Sequence, residues 1–151
     1  MKRIHIGMRV EDVEASVRFY SSLFGVGPTV LKDDYAKWML DDPRVNFSVS
    51  THCDTASKIH LGIQVEEAAD LEDVTLRLKD AGVAVQETPA VTCCYAKSDK
   101  TWVADPDGVP WETFLTHGAS VVYGDATLND LQVESLASSS KGCCGSGAEA
   151  D

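Results

Sequence analysis

His5-Ile6-Gly7-Met8-Arg9-Val10-Glu11 returns later in the chain as His60-Leu61-Gly62-Ile63-Gln64-Val65-Glu66, with His, Gly, Val and Glu at the same offsets and His60 standing 55 residues after His5. In both copies apolar residues alternate strictly with the others. Ile4, Ile6, Met8 and Val10 point one way and His5, Gly7 and Arg9 the other; Ile59, Leu61, Ile63 and Val65 likewise oppose His60, Gly62 and Gln64. A period of two is a strand with one greasy face, suited to lie under a helix, and one face that presents an imidazole followed by a residue without a side chain. A single strand histidine is most simply a polar surface residue. A matched pair on equivalent strands asks for a common cause, and a shared metal ion is the simplest.

Working outward, each copy opens a module. After the first, Asp12 caps a helix whose apolar positions Val13, Val17, Tyr20 and Phe24 follow helical spacing and which Gly25 stops. Three strands follow, Pro28 to Lys32, Tyr35 to Leu40 and Arg44 to Ser50, so that module one reads βαβββ. Thr51 to Ser57 is a polar linker. Module two repeats the plan with a helix from Asp70, its expected cap, to Ala81, then a strand Val83 to Gln86. A long stretch, Glu87 to Asp99, is expected to be a loop, functional or mobile because of its length. It carries Cys93 and Cys94. Strands Lys100 to Ala104 and Val109 to Thr116 flank an Asp105-Pro106-Asp107-Gly108 turn. The expected organisation is α+β: one domain over residues 1–117, with module one at 1–51 and module two at 58–117, forming an open cup around one metal site. Residues 118–151 are expected to form a flexible Cys/Gly/Ser-rich tail containing Cys143 and Cys144.

Composition narrows the partners. The chain has 151 residues, 44% of them hydrophobic, enough for one compact domain. A formal charge of −11 opposes nucleic acid and anionic membranes, both of which repel an acidic surface. No apolar run approaches a membrane span, no signal-peptide pattern follows Met1-Lys2-Arg3, and a cytoplasmic protein, monomer or homodimer, is expected. The five cysteines include two adjacent pairs, poor material for a disulfide framework and good material for reduced thiols that meet metals or metalloids.

The last strand adds an acid. Glu112 stands among Trp111, Thr113, Phe114 and Leu115, where a carboxylate needs a partner. His5, His60 and Glu112 together make two imidazoles and one carboxylate, the set of non-haem Fe(II) centres that keep positions open for oxygen and substrate.

Tandem βαβββ modules, a His on the first strand of each, and a Pro-Asp-Gly turn before Glu112 resemble the vicinal oxygen chelate superfamily of glyoxalases, bleomycin-resistance proteins and extradiol dioxygenases. Within it, Thr92-Cys93-Cys94-Tyr95 resembles the ArsI-type carbon–arsenic lyases and their cadmium-induced CadI-type relatives. The resemblance covers residues 1 to 117. It implies an Fe(II)-dependent dioxygenase that cleaves the carbon–arsenic bond of trivalent organoarsenicals, such as methylarsenite or reduced aromatic arsenicals, with dioxygen, and releases arsenite. Cys93 and Cys94 would then bind the substrate, since vicinal thiolates are soft donors and a trivalent organoarsenical has two exchangeable positions besides its carbon.

Two other classes stay open. The thiols, including Cys143 and Cys144 in a metalloid-handling tail, suit a non-catalytic cadmium- or arsenite-binding protein. A glyoxalase-like isomerase would need a second carboxylate where module one offers only Asn46 or Ser48. His52, Cys53 and His117 read as connector or surface residues. Trp38, Trp102 and Trp111 read as core or cavity wall.

Overall fold

The computed structural model describes residues 1–52 and 58–124; Cys53 and most of the expected linker, and the expected tail from residue 125 on with Cys143 and Cys144, lie outside the described residues. Ten elements follow one another: β1 (Arg3–Arg9), α1 (Val13–Phe24), β2 (Val30–Lys32), β3 (Tyr35–Asp41), β4 (Arg44–Ser50), β5 (Ile59–Val65), α2 (Ala68–Asp80), β6 (Gln86–Cys93), β7 (Ala96–Ala104) and β8 (Pro110–Ala119). The strands make one curled mixed sheet in the order β2-β3-β4-β1-β5-β8-β7-β6, which is βαβββ twice. The two halves join through antiparallel β1 and β5 within the same chain, while β1 runs parallel to β4 and β5 parallel to β8.

Register makes the repeat a pseudo-twofold. His5 faces Gly62 across the β1–β5 ladder and Gly7 faces His60. On the helix side of module one, Val13, Ala36, Trp38, Phe47 and Val49 form a buried cluster, joined by Ile6, Met8, Val17, Tyr20 and Phe24. These are the apolar positions that the alternation of β1, β3 and β4 turns away from the histidines. Helix α1 begins as expected, with the Asp12 carboxylate accepting from Ala15 N, and ends at Gly25 in the left-handed region. Among the described residues no helix is long and apolar enough to cross a membrane.

Module two departs from expectation in four places. Helix α2 starts two residues early, capped at Glu67 without a side-chain bond; Asp70 sits in its first turn and pairs with Lys2 at 2.8 Å. Val83 to Val85 are not a strand, and β8 continues past Thr116 to Ala119. The fourth matters most. Glu87 to Asp99 is not a loop but the two arms of a hairpin, β6 and β7, joined by a two-residue turn at Cys94-Tyr95. Register shifts between Thr88 and Val91 on β6 and between Lys97 and Ser98 on β7 break its ladders, the usual cause of a bent strand pair.

Candidate metal centre

The inner face of the sheet is built by alternation. On β1 and β5 the histidines face inward, and both rings are buried, each 6% exposed. Their neighbours make room. A Cβ on Gly7 would lie 2.1 Å from His60 Cε1, and one on Gly62 would lie 2.5 Å from the Glu112 carbonyl oxygen. Each glycine is therefore required by close approach. Strand β8 runs between β5 and β7 and puts Glu112 opposite Gly62, 3% exposed, so this acid is central in the sheet.

The three side chains converge. His5 Nε2 lies 3.1 Å from His60 Nε2 and 3.2 Å from Glu112 Oε1, and His60 Nε2 lies 3.6 Å from the same oxygen. One ligand atom from each falls within 4.8 Å of the others, as a single ion requires. The outer contacts favour this geometry. His5 Nδ1 is 3.0 Å from the Asn46 carbonyl, where it donates, which leaves the Nε2 lone pair aimed inward. Burial lowers the pKa of His5 to about 4 against the pull of Glu112, so the imidazole is neutral at physiological pH.

Sequence reasoning missed Lys100. Its ammonium lies 2.7 Å from Glu112 Oε2, is 9% exposed, and stacks over Trp102 and Phe114. Burial resists charge on both partners. The pairing nonetheless raises Lys100 above the usual amine range, while Lys100 and the two imidazoles hold Glu112 well below the usual carboxylate range. The two carboxylate oxygens are thus divided: Oε2 belongs to Lys100, and Oε1 faces the histidines. Alternation along β7 was the available signal, because Lys100 and Trp102 share a face.

The thiols stand at the hairpin tip. Cys94 and Tyr95 both have positive φ, 57° and 59°, so the turn is of the kind that normally takes Asn-Gly. Each such residue without glycine costs about 1–2 kcal/mol. Contacts hold the conformation: Ser120 N donates to the Tyr95 carbonyl at 2.7 Å, and the Tyr95 hydroxyl donates to Asp34 on the module-one turn at 2.7 Å. The turn brings Cys93 Sγ and Cys94 Sγ to 3.1 Å. That is well beyond the roughly 2.05 Å of a disulfide and close enough for both sulfurs to grip one atom. Adjacent residues on an extended strand could not do this, since they point to opposite faces. The pair shares its charge unequally. Hydrogen bonding to Cys93 lowers the Cys94 pKa, assisted by Lys100 and Tyr123, while the same bond raises Cys93.

Tyr123 is a second missed residue. It lies beyond the expected end of the domain at residue 117, and its hydroxyl is 3.6 Å from Cys94 Sγ and 3.0 Å from Ser50 Oγ. With Tyr35 and Tyr95 it forms a ring cluster at centroid separations of 5.5 to 6.3 Å. Of the weaker candidates, His52 pairs with Asp34 at 3.1 Å and His117 with Asp99 at 2.8 Å, both at half-exposed positions away from the histidine pair. Trp38 is core, and Trp102 walls the site 5.7 Å from the His60 ring.

Comparison with known proteins agrees with this architecture. A trivalent organoarsenical cleaving enzyme of Thermomonospora curvata is 38% identical over 120 residues, covering 78% of this chain and 80% of that one. Another from Bacillus sp. strain MD1 is 41% identical over 119 residues, covering 77% and 74%. The cadmium-induced protein CadI of Mycobacterium tuberculosis is 30% identical over 145 residues, covering 95% and 93%. A solved glyoxalase/bleomycin resistance protein/dioxygenase superfamily member from Vibrio splendidus shares the fold at a TM-score of 0.51, with 16% identity, covering 77% of this chain and 99% of that one. The family model matches residues 2–113, and the chain belongs to the Glyoxalase/Bleomycin resistance protein/Dioxygenase superfamily.

Proposed function

We propose that this protein is an Fe(II)- and oxygen-dependent carbon–arsenic lyase that takes trivalent organoarsenicals, methylarsenite or reduced aromatic arsenicals, and releases arsenite. The observation that carries the proposal is a reduced thiol pair, 3.1 Å apart, in the same cup as a buried two-histidine, one-carboxylate cluster. Relatives at 38 and 41% identity, named for cleaving trivalent organoarsenicals, support it.

His5, His60 and Glu112 would hold the metal, since His5 Nε2, His60 Nε2 and Glu112 Oε1 converge and two imidazoles with one carboxylate are a donor set that fits Fe(II). Its chemistry when bound is the activation of dioxygen, which no side chain here can supply. The remaining work falls to the chain. Cys94, the more readily ionised sulfur, displaces one hydroxyl of the arsenical, and Cys93 displaces the second. The thiol protons leave with the hydroxyls as two waters, and arsenic ends on two sulfurs with its carbon bond intact. Two-point attachment fixes the direction of that bond, worth far more than one tether because the second sulfur reacts intramolecularly. Lys100 keeps Glu112 Oε2 occupied, which would leave Oε1 for an ion.

A second class has a specific observation in its favour: the soft thiol pair, together with the cadmium-induced relatives, suits a protein that sequesters cadmium or arsenite without turnover. Reconstitution with Fe(II) without air, followed by methylarsenite and oxygen, separates the two. Lyase activity gives arsenite with oxygen consumption dependent on both iron and organoarsenical; binding of the arsenical with neither product nor oxygen uptake refutes it. Reduced thiols also fit a cytoplasmic setting.

A further inference from the structure

Module one contributes no metal-directed acid to the cup, yet it contributes a cation. Lys37 lies on β3 between Ala36 and Trp38, which are both fully buried on the helix side, so its side chain faces the cup. Register places it opposite Ser48, which pairs in turn with Gly7. Among the described residues its ammonium has neither a hydrogen bond nor an ion pair, although the side chain is half-buried. Burial lowers its pKa, and the charge that opposes the effect is Cys94. The buried cation of module two, Lys100, is by contrast paired with Glu112 at 2.7 Å.

The consequence appears when the thiols react. Once arsenic is bound to both sulfurs, Cys94 no longer carries a charge, and the half-buried Lys37 ammonium loses the one charge that offset its burial. A desolvated charge without a partner is costly. The bound arsenical is the molecule in position to supply one. Its organic group would leave the arsenic near Tyr123, whose hydroxyl lies 3.6 Å from Cys94 Sγ and whose ring, 5.5 Å from that of Tyr95, makes with it a partly exposed aromatic wall. Such a wall suits a flat ring.

Resting on the proposed lyase activity, we propose that Lys37 is a specificity-determining residue, the centre of a subsite for arylarsenicals that carry an anionic ring substituent. The acidic group meets the Lys37 ammonium, the ring lies against the tyrosines, and arsenic stays on Cys93 and Cys94. A methyl substituent reaches neither partner.

The test uses the full-length chain loaded with Fe(II) under exclusion of oxygen, with Cys143→Ser and Cys144→Ser in every variant so that only the hairpin thiols chelate. Calorimetric titration compares phenylarsenous acid with its 3- and 4-carboxyphenyl analogues. One carboxylated isomer is expected to bind about tenfold more tightly than the parent ring, the scale of a charge-assisted hydrogen bond at a partly exposed site. Lys37→Met should erase that preference and leave phenylarsenous acid affinity unchanged, while Lys37→Arg retains it. Equal affinity for all three ligands overturns the subsite alone. An equal loss for all three in Lys37→Met also overturns it, because the lysine would then serve only the thiolate. If the parent binds none of them, the lyase assignment falls and the subsite with it.

Discussion

Gly7→Ala isolates the metal cluster from the rest of the fold. The new Cβ would sit 2.1 Å from His60 Cε1 and 2.3 Å from His60 Nε2, where ordinary contact begins at 3.4 Å. The ring has to withdraw by the difference, 1.3 Å. Metal–ligand distances tolerate about 0.2 Å, so that displacement would remove one of the three proposed ligands. The cost to folding is smaller. Overpacking costs about 1–3 kcal/mol, and alanine recovers about 0.5–1 kcal/mol relative to glycine in a strand. The net, from nearly nothing to about 2.5 kcal/mol, leaves a domain of ordinary stability folded. Gly118→Ala is the control, since nothing lies within 4 Å of its Cβ position. Anaerobic Fe(II) titration with metal analysis, alongside urea denaturation, should find Gly7→Ala folded and without metal, and Gly118→Ala like the parent. Parent-like iron affinity in folded Gly7→Ala would refute the convergence of His5, His60 and Glu112 on one ion.

The other substitutions divide the site. Glu112→Ala strands buried Lys100 and should lose about 3–5 kcal/mol of stability as well as iron, whereas Glu112→Gln keeps an acceptor for Lys100 and should lose mainly iron; equal urea midpoints for the two would contradict the ion pair. Cys93→Ser and Cys94→Ser should each retain iron and lose affinity for methylarsenite, measured by parallel metal analysis and calorimetry. A serine variant that binds and cleaves like the parent removes the thiols from the mechanism. For His5 the folded pKa, about 4, lies below the 6.5 of the unfolded chain, so between those values the unfolded state binds more protons and stability falls as pH falls. Metal-free protein should lose roughly 3 kcal/mol from this group between pH 6.5 and 4, and the loss should be absent in His5→Gln; an identical pH dependence in the two proteins would contradict the burial of a neutral imidazole.

Much of the scaffold was legible because it is dictated locally. The alternation in the two repeated heptads sets both the strands and the inward histidines, and Asp12 and Gly25 bound α1 as capping chemistry requires. The hairpin from Gln86 to Ala104 was illegible for equally local reasons. Pro89 and a run of small and polar residues hide its alternation, and its turn places Cys94 and Tyr95 where a sequence reader looks for Asn or Gly. Tertiary contacts hold that turn, from Asp34 61 residues away and from Ser120, and no window of sequence contains them. Lys100 and Tyr123 were missed because each acquires meaning only from a partner on another element.

The pseudo-twofold turns this asymmetry into an argument about chemistry. Gly7 faces Ser48 as Gly62 faces Glu112, so Ser48 is the counterpart of the carboxylate. One strand further out, Lys37 matches Trp102 and Tyr35 matches Lys100. An isomerase of this family's glyoxalase type would call for a second acid at the Ser48 position, and what stands there instead is a hydroxyl beside a cation. The acid, its lysine and the thiols therefore belong to module two, and module one supplies the side of the cup with no anionic ligand. If His5, His60 and Glu112 hold an ion, that division would leave the Ser48, Tyr35 and Lys37 side of the cup to a thiol-bound arsenical. Ser48→Glu should restore the symmetric four-ligand set. It should raise affinity for Zn(II) or Ni(II), measured by competition with a chelator, and depress oxygen-dependent arsenite release. A Ser48→Glu variant with unchanged metal affinity would place Ser48 outside ligand range and remove the structural case against the isomerase class.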